Sequence, residues 1–168
     1  WCCSFNNFVM VKKKVFQLKP FIESILPAKF DDIIEYDEIW SFVGSKLNRV
    51  WIWIALCRRT KQVIAYHFGD RDKKSFLEFY QKVPIDYANC LSRSDGLHVY
   101  KILTKYGHKM CKRKNGTTSQ VEAFNTILRQ RLARLVRKTC AFSKNFEMHE
   151  GILRWFIQDY NENIYQSN

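Results

Sequence analysis

Residues 50–57 (VWIWIALC) form an unbroken apolar run rich in β-branched and aromatic side chains. A run of this length and composition reads as a strand covered on both faces, not as the half-solvated strand of an open sheet. It therefore demands a sheet with packed layers on either side. Its flanks fit that demand. Residues Ile33–Val43 read as a preceding strand that stops at Gly44, and residues 63–68 as a following strand closed by Gly69. The polar stretches 45–49 and 58–61 read as the turns between them.

The second half of the chain changes period. Asp72 is placed to cap a helix reaching Lys82, with Phe76, Leu77, Phe79 and Tyr80 as apolar positions and Pro84 beyond its end. Residues 90–94 read as a short fourth strand, 96–106 as helical and 109–112 as a fifth strand. Ser119 is a good N-cap for a helix expected to reach about Lys138, because Val121, Phe124, Leu128, Leu132 and Leu135 step by three or four residues. A last helix is expected over about 145–161. Strands joined by tight turns pair antiparallel, and strands alternating with helices pair parallel. The expected fold class is α/β: an RNase H-like mixed five-stranded sheet, three antiparallel strands and then parallel ones, flanked by helices. Residues 30–168 make up that domain. Residues 1–29, with Lys12, Lys13 and Lys14 in a row and Pro20 and Pro27 after them, are expected to be an N-terminal tether or truncated remnant.

Charge narrows the partner. The chain has 28 Lys and Arg against 16 Asp and Glu, a net +12, and residues 101–168 alone carry 13 against 5. A positive field concentrated in this way points first to nucleic acid; the alternative is a merely soluble basic surface. The six cysteines include no C-x-x-C pair, so a zinc knuckle is not indicated. A reduced setting fits them better than a disulfide scaffold. No apolar run approaches the ~20 residues of a membrane span. In WCCSFNNFVMVKKK the basic residues follow the apolar ones, against the order of a secretory signal.

Three carboxylates stand where chemistry is expected. Asp37 lies inside an apolar, aromatic-rich strand (IIEYDEIWSFVG), Asp95 follows the fourth strand, and Glu122 opens the long basic helix. An ionised carboxylate inside a strand is costly to bury unless something pairs with it, and a divalent cation is the usual partner of several converging carboxylates. Phosphodiester cleavage by two cations needs carboxylates that hold the ions about 3.5–4 Å apart. Each residue also has a plainer reading. Asp95-Gly96 is an ordinary turn signal. Ser119 and Glu122 make the S-x-x-E capping pattern. Alternation puts Glu35 on the face of Asp37 and points Glu38 with Tyr36, so Glu38 is a partner or supporting group. Along the helix, Asn125 and Arg129 stand one and two turns on from Glu122, and Arg129 is placed to reach a phosphate. Arg131, Arg134 and Lys138 continue a basic face, which Lys112, Arg113 and Lys114 extend. Such residues position a DNA backbone without reading its sequence; the alternative is a solvated stripe.

The segments DEIWSFVGSK, RVWIWIALCRRTKQVIAYHFGDR and VEAFNTILRQRLARLVRKTCAFSK, with EMHE downstream, resemble the IS-one family of insertion-sequence transposases. The resemblance covers about residues 30–160. It implies an RNase H-like DDE catalytic domain that uses Mg²⁺ or Mn²⁺, two ions in all, to cut transposon ends and join the freed 3′ hydroxyl to target DNA. Carried over, the D-E-x-W Asp is Asp37, the Asp after the fourth strand is Asp95, and the V-E-x-x-N Glu is Glu122. The downstream basic residue is Arg129. The resemblance further implies a homo-oligomer holding two DNA ends, and a cytoplasmic, nucleoid-associated prokaryotic protein. Nothing in the chain matches the zinc-binding and helix-turn-helix region such proteins carry ahead of this domain. The expectation is a frameshift product or truncation whose DNA binding is weak, non-specific and salt-dependent. A nuclease or resolvase that cuts without joining, and a catalytically inactive DNA-binding remnant, are the alternatives.

Overall fold

The computed structural model describes residues 5–110, 118–136 and 140–167. Five strands form one sheet in the order β3-β2-β1-β4-β5: β1 Ile33–Val43, β2 Ser45–Cys57, β3 Val63–Gly69, β4 Leu91–Ser94 and β5 His108–Met110. β1, β2 and β3 pair antiparallel, and β4 and β5 join them in parallel. This is the RNase H-like mixed sheet expected from the sequence. The helices are α1 Phe5–Phe16, α2 Lys73–Tyr80, α3 Ile85–Ala88, α4 Ser119–Arg131 and α5 Phe146–Ser167, with a 3-10 stretch over His98–Tyr106.

The apolar run of β2 divides its side chains between two cores, because successive residues of a strand face opposite ways. Trp53, Ala55 and Cys57 pack with Tyr36, Phe76, Phe79 and Tyr100 on the α2 face. Ile52, Ile54 and Leu56 pack with Val121, Phe124, Leu128, Leu153 and Ile157 on the α4 and α5 face. Both faces are covered, as an uninterrupted apolar strand requires. Leu128 is wholly buried, so truncation to Ala costs about 2–5 kcal/mol.

Several boundaries differ from expectation. Residues 45–49 are strand, not turn: the reversal is confined to Gly44, which takes the left-handed φ of +72°. Ser45 and Arg49 pair with Val43 and Phe42, the three residues between them bulge out where the register shifts, and all five are exposed, so they carry no apolar signal. The helix from Ser119 stops at Arg131, where Leu132 becomes extended and Ala133–Leu135 forms a 3-10 turn. The guanidinium of Arg129 holds that turn by donating to the Leu135 carbonyl at 2.7 Å, and Leu135 still reaches the core. Apolar spacing alone does not register such a break. β5 begins at His108, one residue before the expected start, and the expected Lys112 end lies outside the described residues.

Residues 9–29 also pack against the domain. Val11 of α1 is buried against α5, where Gly151 leaves room for it. A 3-10 turn over Phe21–Ser24 is clamped by Gln62, which donates to the Ser24 and Asn161 carbonyls and accepts from the Leu26 amide. Asn161 completes this network by bonding both backbone groups of Val63 at 2.9 and 2.7 Å.

Candidate active site

β1 outruns β4. Tyr36 is the last residue of β1 that pairs with it, opposite Ser94. Asp37 and Asp95 are therefore the next residues on two parallel neighbours, at the point where β4 ends and the edge of β1 opens. Strand ends in such a sheet are where ligands gather. Asp95 is a turn residue as well, its Oδ1 accepting from the Leu97 amide at 2.9 Å. Beneath it, His108 bridges Ser92 through Nδ1 and Ser94 through Nε2, both at 2.8 Å. Burial pulls the pKa of His108 down to about 4, so a neutral ring fastens β4 to β5.

One carboxylate oxygen from each of Asp37, Glu38 and Asp95 lies within 4.8 Å of the other two. Glu38 is already engaged on the α2 side. Arg71 donates to its Oε1 through Nε and Nη2 at 2.9 and 2.6 Å, and the buried Tyr100 hydroxyl donates to Oε2 at 2.9 Å. Arg71 in turn lies 4.8 Å over the Trp51 ring. Asp37 has no ion-pair partner among the described residues. Burial, then the charge of Glu38, pushes its carboxyl up to about 7, with Asp95 and Glu122 adding to the effect. Asn125 donates from Nδ2 to Asp37 Oδ2 at 2.7 Å. The other amide atom, Asn125 Oδ1, is buried with no hydrogen-bond partner among the described residues.

Glu122 stands apart from that group. It is exposed on the first turn of α4, and its Oε1 accepts from the Thr118 hydroxyl at 2.7 Å. The N-cap position is Thr118 and not Ser119, one residue earlier than the capping pattern suggested, and its side chain bonds Glu122 instead of a backbone amide. Among the other basic residues named from the sequence, Arg131 is exposed at the end of α4, and Arg134 leaves the helical face to donate to Ser143 Oγ at 2.8 Å. Lys112, Arg113, Lys114 and Lys138 lie outside the described residues.

Glu35 is the residue that sequence reasoning underweighted. It is fully buried on the α4 face of β1. Its Oε2 accepts from the amides of Gln120 and Val121 at 2.9 and 3.0 Å, and its Oε1 accepts from Arg58 Nε at 2.7 Å. A carboxylate on unpaired amides at a helix N-terminus is favourable by both hydrogen bonding and dipole. Glu35 therefore sets where α4 starts over the sheet, and through α4 it sets where Asn125 and Glu122 stand relative to Asp37. Its helix partners are 85 and 86 positions away in the chain and Arg58 is 23 away, so the only sequence signal was the unusual acid in an apolar strand.

Residues 32–165, which include every one of these carboxylates, match the family model for IS1 transposase. The chain belongs to the IS1 transposase family. It is 36% identical over 130 residues to the insertion element iso-IS1n protein InsB of Shigella dysenteriae, covering 75% of this chain and 94% of that protein. It is 33% identical over 157 residues to the IS1 9 protein InsB of Escherichia coli strain K12, covering 90% and 89%. The IS1 4 protein InsB of the same strain is 34% identical over 125 residues, covering 73% and 72%.

DDE transposases of this kind imply a divalent cation. The donors in this IS1-family chain fit one: they are hard oxygens, as Mg²⁺ and Mn²⁺ prefer, and the carboxyl of Asp37 is raised by burial and then by like charges that a cation would offset. No helix among the described residues is long and apolar enough to cross a membrane.

Proposed function

We propose that this transposase cuts DNA strands at the ends of an insertion sequence and transfers the freed 3′ hydroxyl to target DNA, at a site formed by Asp37, Asp95 and Glu122. The observation that carries the reading is Asp37, a half-buried carboxylate held against like charges at an open strand end, with an orphaned amide oxygen beside it. Stable folding alone gives no reason to keep such a group; binding a cation does.

Two Mg²⁺ or Mn²⁺ ions bound there would activate the attacking oxygen and stabilise the leaving one. Asp37 and Asp95 supply ligand oxygens from two rigid strands, so their spacing is set by the sheet register. Asn125 orients the Asp37 carboxylate through its Oδ2. Glu38, neutralised by Arg71, holds the far side of the group without adding its full charge. Glu122, exposed on the first turn of α4, would join Asp37 and Asp95 as a ligand by giving up the Thr118 hydroxyl through a change of rotamer. Arg129, Arg131 and Arg134, with Lys112, Arg113, Lys114 and Lys138, hold the DNA backbone. The working form is a homo-oligomer that brings two ends together.

The test is nicking and strand transfer on a supercoiled plasmid with Mg²⁺ or Mn²⁺, wild type beside Glu122→Gln. Metal-dependent nicking that disappears in the variant supports the site. Equal activity in the variant removes Glu122 from it. Nicking without joining marks a nuclease, and intact DNA binding with no turnover marks an inactive remnant.

A further inference from the structure

The β1–β2 hairpin runs past both of its neighbours. β3 last pairs with β2 at Trp51 and Gly69, and β4 last pairs with β1 at Tyr36 and Ser94. A two-stranded ribbon is marginal on its own, yet this one is braced. Phe42 packs on Trp40 and Phe142 with ring centroids 5.5 and 5.4 Å apart. The Gly44 amide donates to the Ser143 carbonyl at 2.7 Å, and Val43 bridges Ser143 in parallel. Ser143 is itself fixed by hydrogen bonds with Arg134 and with the wholly buried His149, at 2.8 and 2.9 Å. A chain segment and a buried histidine thus hold the hairpin as far as Gly44, while residues 45–49 beside the turn are left bare.

That tip has one sign of charge. No Asp or Glu occurs between Glu38 and Asp70. Lys46 and Arg49 are exposed and have no ion-pair partner among the described residues, and Leu47 between them is 87% exposed. Gly44 lies seven residues beyond Asp37, roughly 23 Å along the strand at about 3.3 Å per residue. That distance corresponds to about seven phosphates of one DNA strand.

We infer that the hairpin tip is a DNA-contacting finger: Lys46 and Arg49 grip the backbone of the duplex whose strand is cut at Asp37, about five to seven base pairs from the cut, with Leu47 against the groove between them. The inference rests on the DNA-cleaving reading above. It adds a contact on the hairpin to those of the α4 region, and Ser143, bound by Arg134 and by Gly44, joins the two.

The test uses the full chain and a fluorescent duplex about 30 base pairs long, enough to span the carboxylates and the tip. Binding is followed by anisotropy across a salt series. Lys46→Gln with Arg49→Gln is expected to lower the slope of log affinity against log salt by about 2, since each lost phosphate contact removes about 0.9. Lys101→Gln with Lys105→Gln, an equal charge loss on an exposed part of the His98–Tyr106 turn, is expected to change the slope less. Surface substitutions of this kind leave stability within about 0.5 kcal/mol, which a thermal melt verifies. Equal slopes for the two double variants overturn the finger, as does unchanged binding in the first. If Leu47→Ser reduces self-association and leaves DNA affinity untouched, the tip is instead a contact between copies of the chain and the finger is overturned. A wild-type chain that binds no duplex sinks the DNA-cleaving reading together with the finger, whereas wild-type binding insensitive to the tip sinks the finger alone.

Discussion

Glu35 and Asp37 sit two residues apart on the same strand and the same face, and their surroundings are opposite. Glu35 is fully buried but meets Arg58 and two helix amides. Asp37 is less buried yet lies against Glu38 and Asp95 and feels the charge of Glu122, with one amide hydrogen from Asn125 against them. The first is what a folded protein does with a charge it must bury: every oxygen has a donor. The second is a charge left short of compensation, the arrangement expected where a ligand completes the balance. Burial of an acid is thus a poor guide to function by itself; the state of its partners separates the structural carboxylate from the candidate ligand.

The sharpest way to break this contrast is to neutralise each acid in turn. Glu35→Gln removes the carboxylate that accepts from Arg58 Nε and weakens the α4 cap. Removing one partner of a buried pair costs about 3–5 kcal/mol, so the thermal midpoint should fall by on the order of 10 °C. Asp37→Asn should do the reverse in metal-free buffer, raising the midpoint by a few degrees, while plasmid nicking falls to background. Differential scanning fluorimetry beside the nicking assay reads both. If the two variants shift stability in the same direction, the contrast between them is wrong.

Much of this was legible in the sequence, for physical reasons that can be named. β1 and β3 were marked by period and by Gly44 and Gly69, and β2 by an apolar run that only a two-faced strand accommodates. Asp37 stood out because an acid is rare inside an apolar strand, whereas Asp95 and Glu122, at a turn and a helix start where acids are common, stood out by their order along the chain and by the family resemblance. What could not be read was long-range compensation. The contact of Glu35 with Gln120, the engagement of Glu38 by Arg71 and Tyr100, and the seating of His108 between Ser92 and Ser94 all join residues that sequence distance separates. Residues 45–49 were misread because a projecting hairpin is as polar as a turn. The end of α4 was misread because Leu132 and Leu135 keep helical spacing after the helix has stopped.

A smaller effect should follow from Asn125→Ala. It removes the only hydrogen bond to the Asp37 carboxylate from a side chain of α4 among the described residues. Loss of such a supporting contact typically weakens metal affinity about 10–100-fold, so the metal concentration for half-maximal nicking should rise by that factor while saturating activity recovers in part. An unchanged metal requirement would assign Asn125 to packing alone.

Dependence on pH refines the comparison further. The carboxyl of Asp37 is raised from 3.8 to about 7 in the metal-free fold, so the folded state holds a proton that the unfolded chain gives up. The stability this contributes is complete below about pH 3.8 and is lost as pH rises through about 7. His108 and His149 act with the opposite sign: burial holds each near 4 against an ordinary 6.5, so stability falls as pH drops through that window. Subtracting Asp37→Asn from wild type isolates the first. The gap in thermal midpoint should widen between about pH 5 and about pH 8, and added Mg²⁺ should close it. A gap that does not vary with pH would mean that Asp37 is not the strained group.

Arg71→Gln should produce the smallest change. Arg71 is the cation of Glu38, and removing it returns negative charge to the acidic group beside Asp37. Its side chain is 41% exposed, however, so water already screens much of its field, and an ion pair of that kind is worth no more than about 1 kcal/mol. Tyr100 still donates to Glu38 from the buried side. The metal-free midpoint near neutral pH should therefore drop by about 1–3 °C, and the gap to Asp37→Asn should widen by a similar amount. A larger loss that added Mg²⁺ does not recover would place Arg71 with Arg58 as a structural cation, and the line between the two ends of β1 would then run between Asp37 and Glu38, not between Glu35 and Asp37.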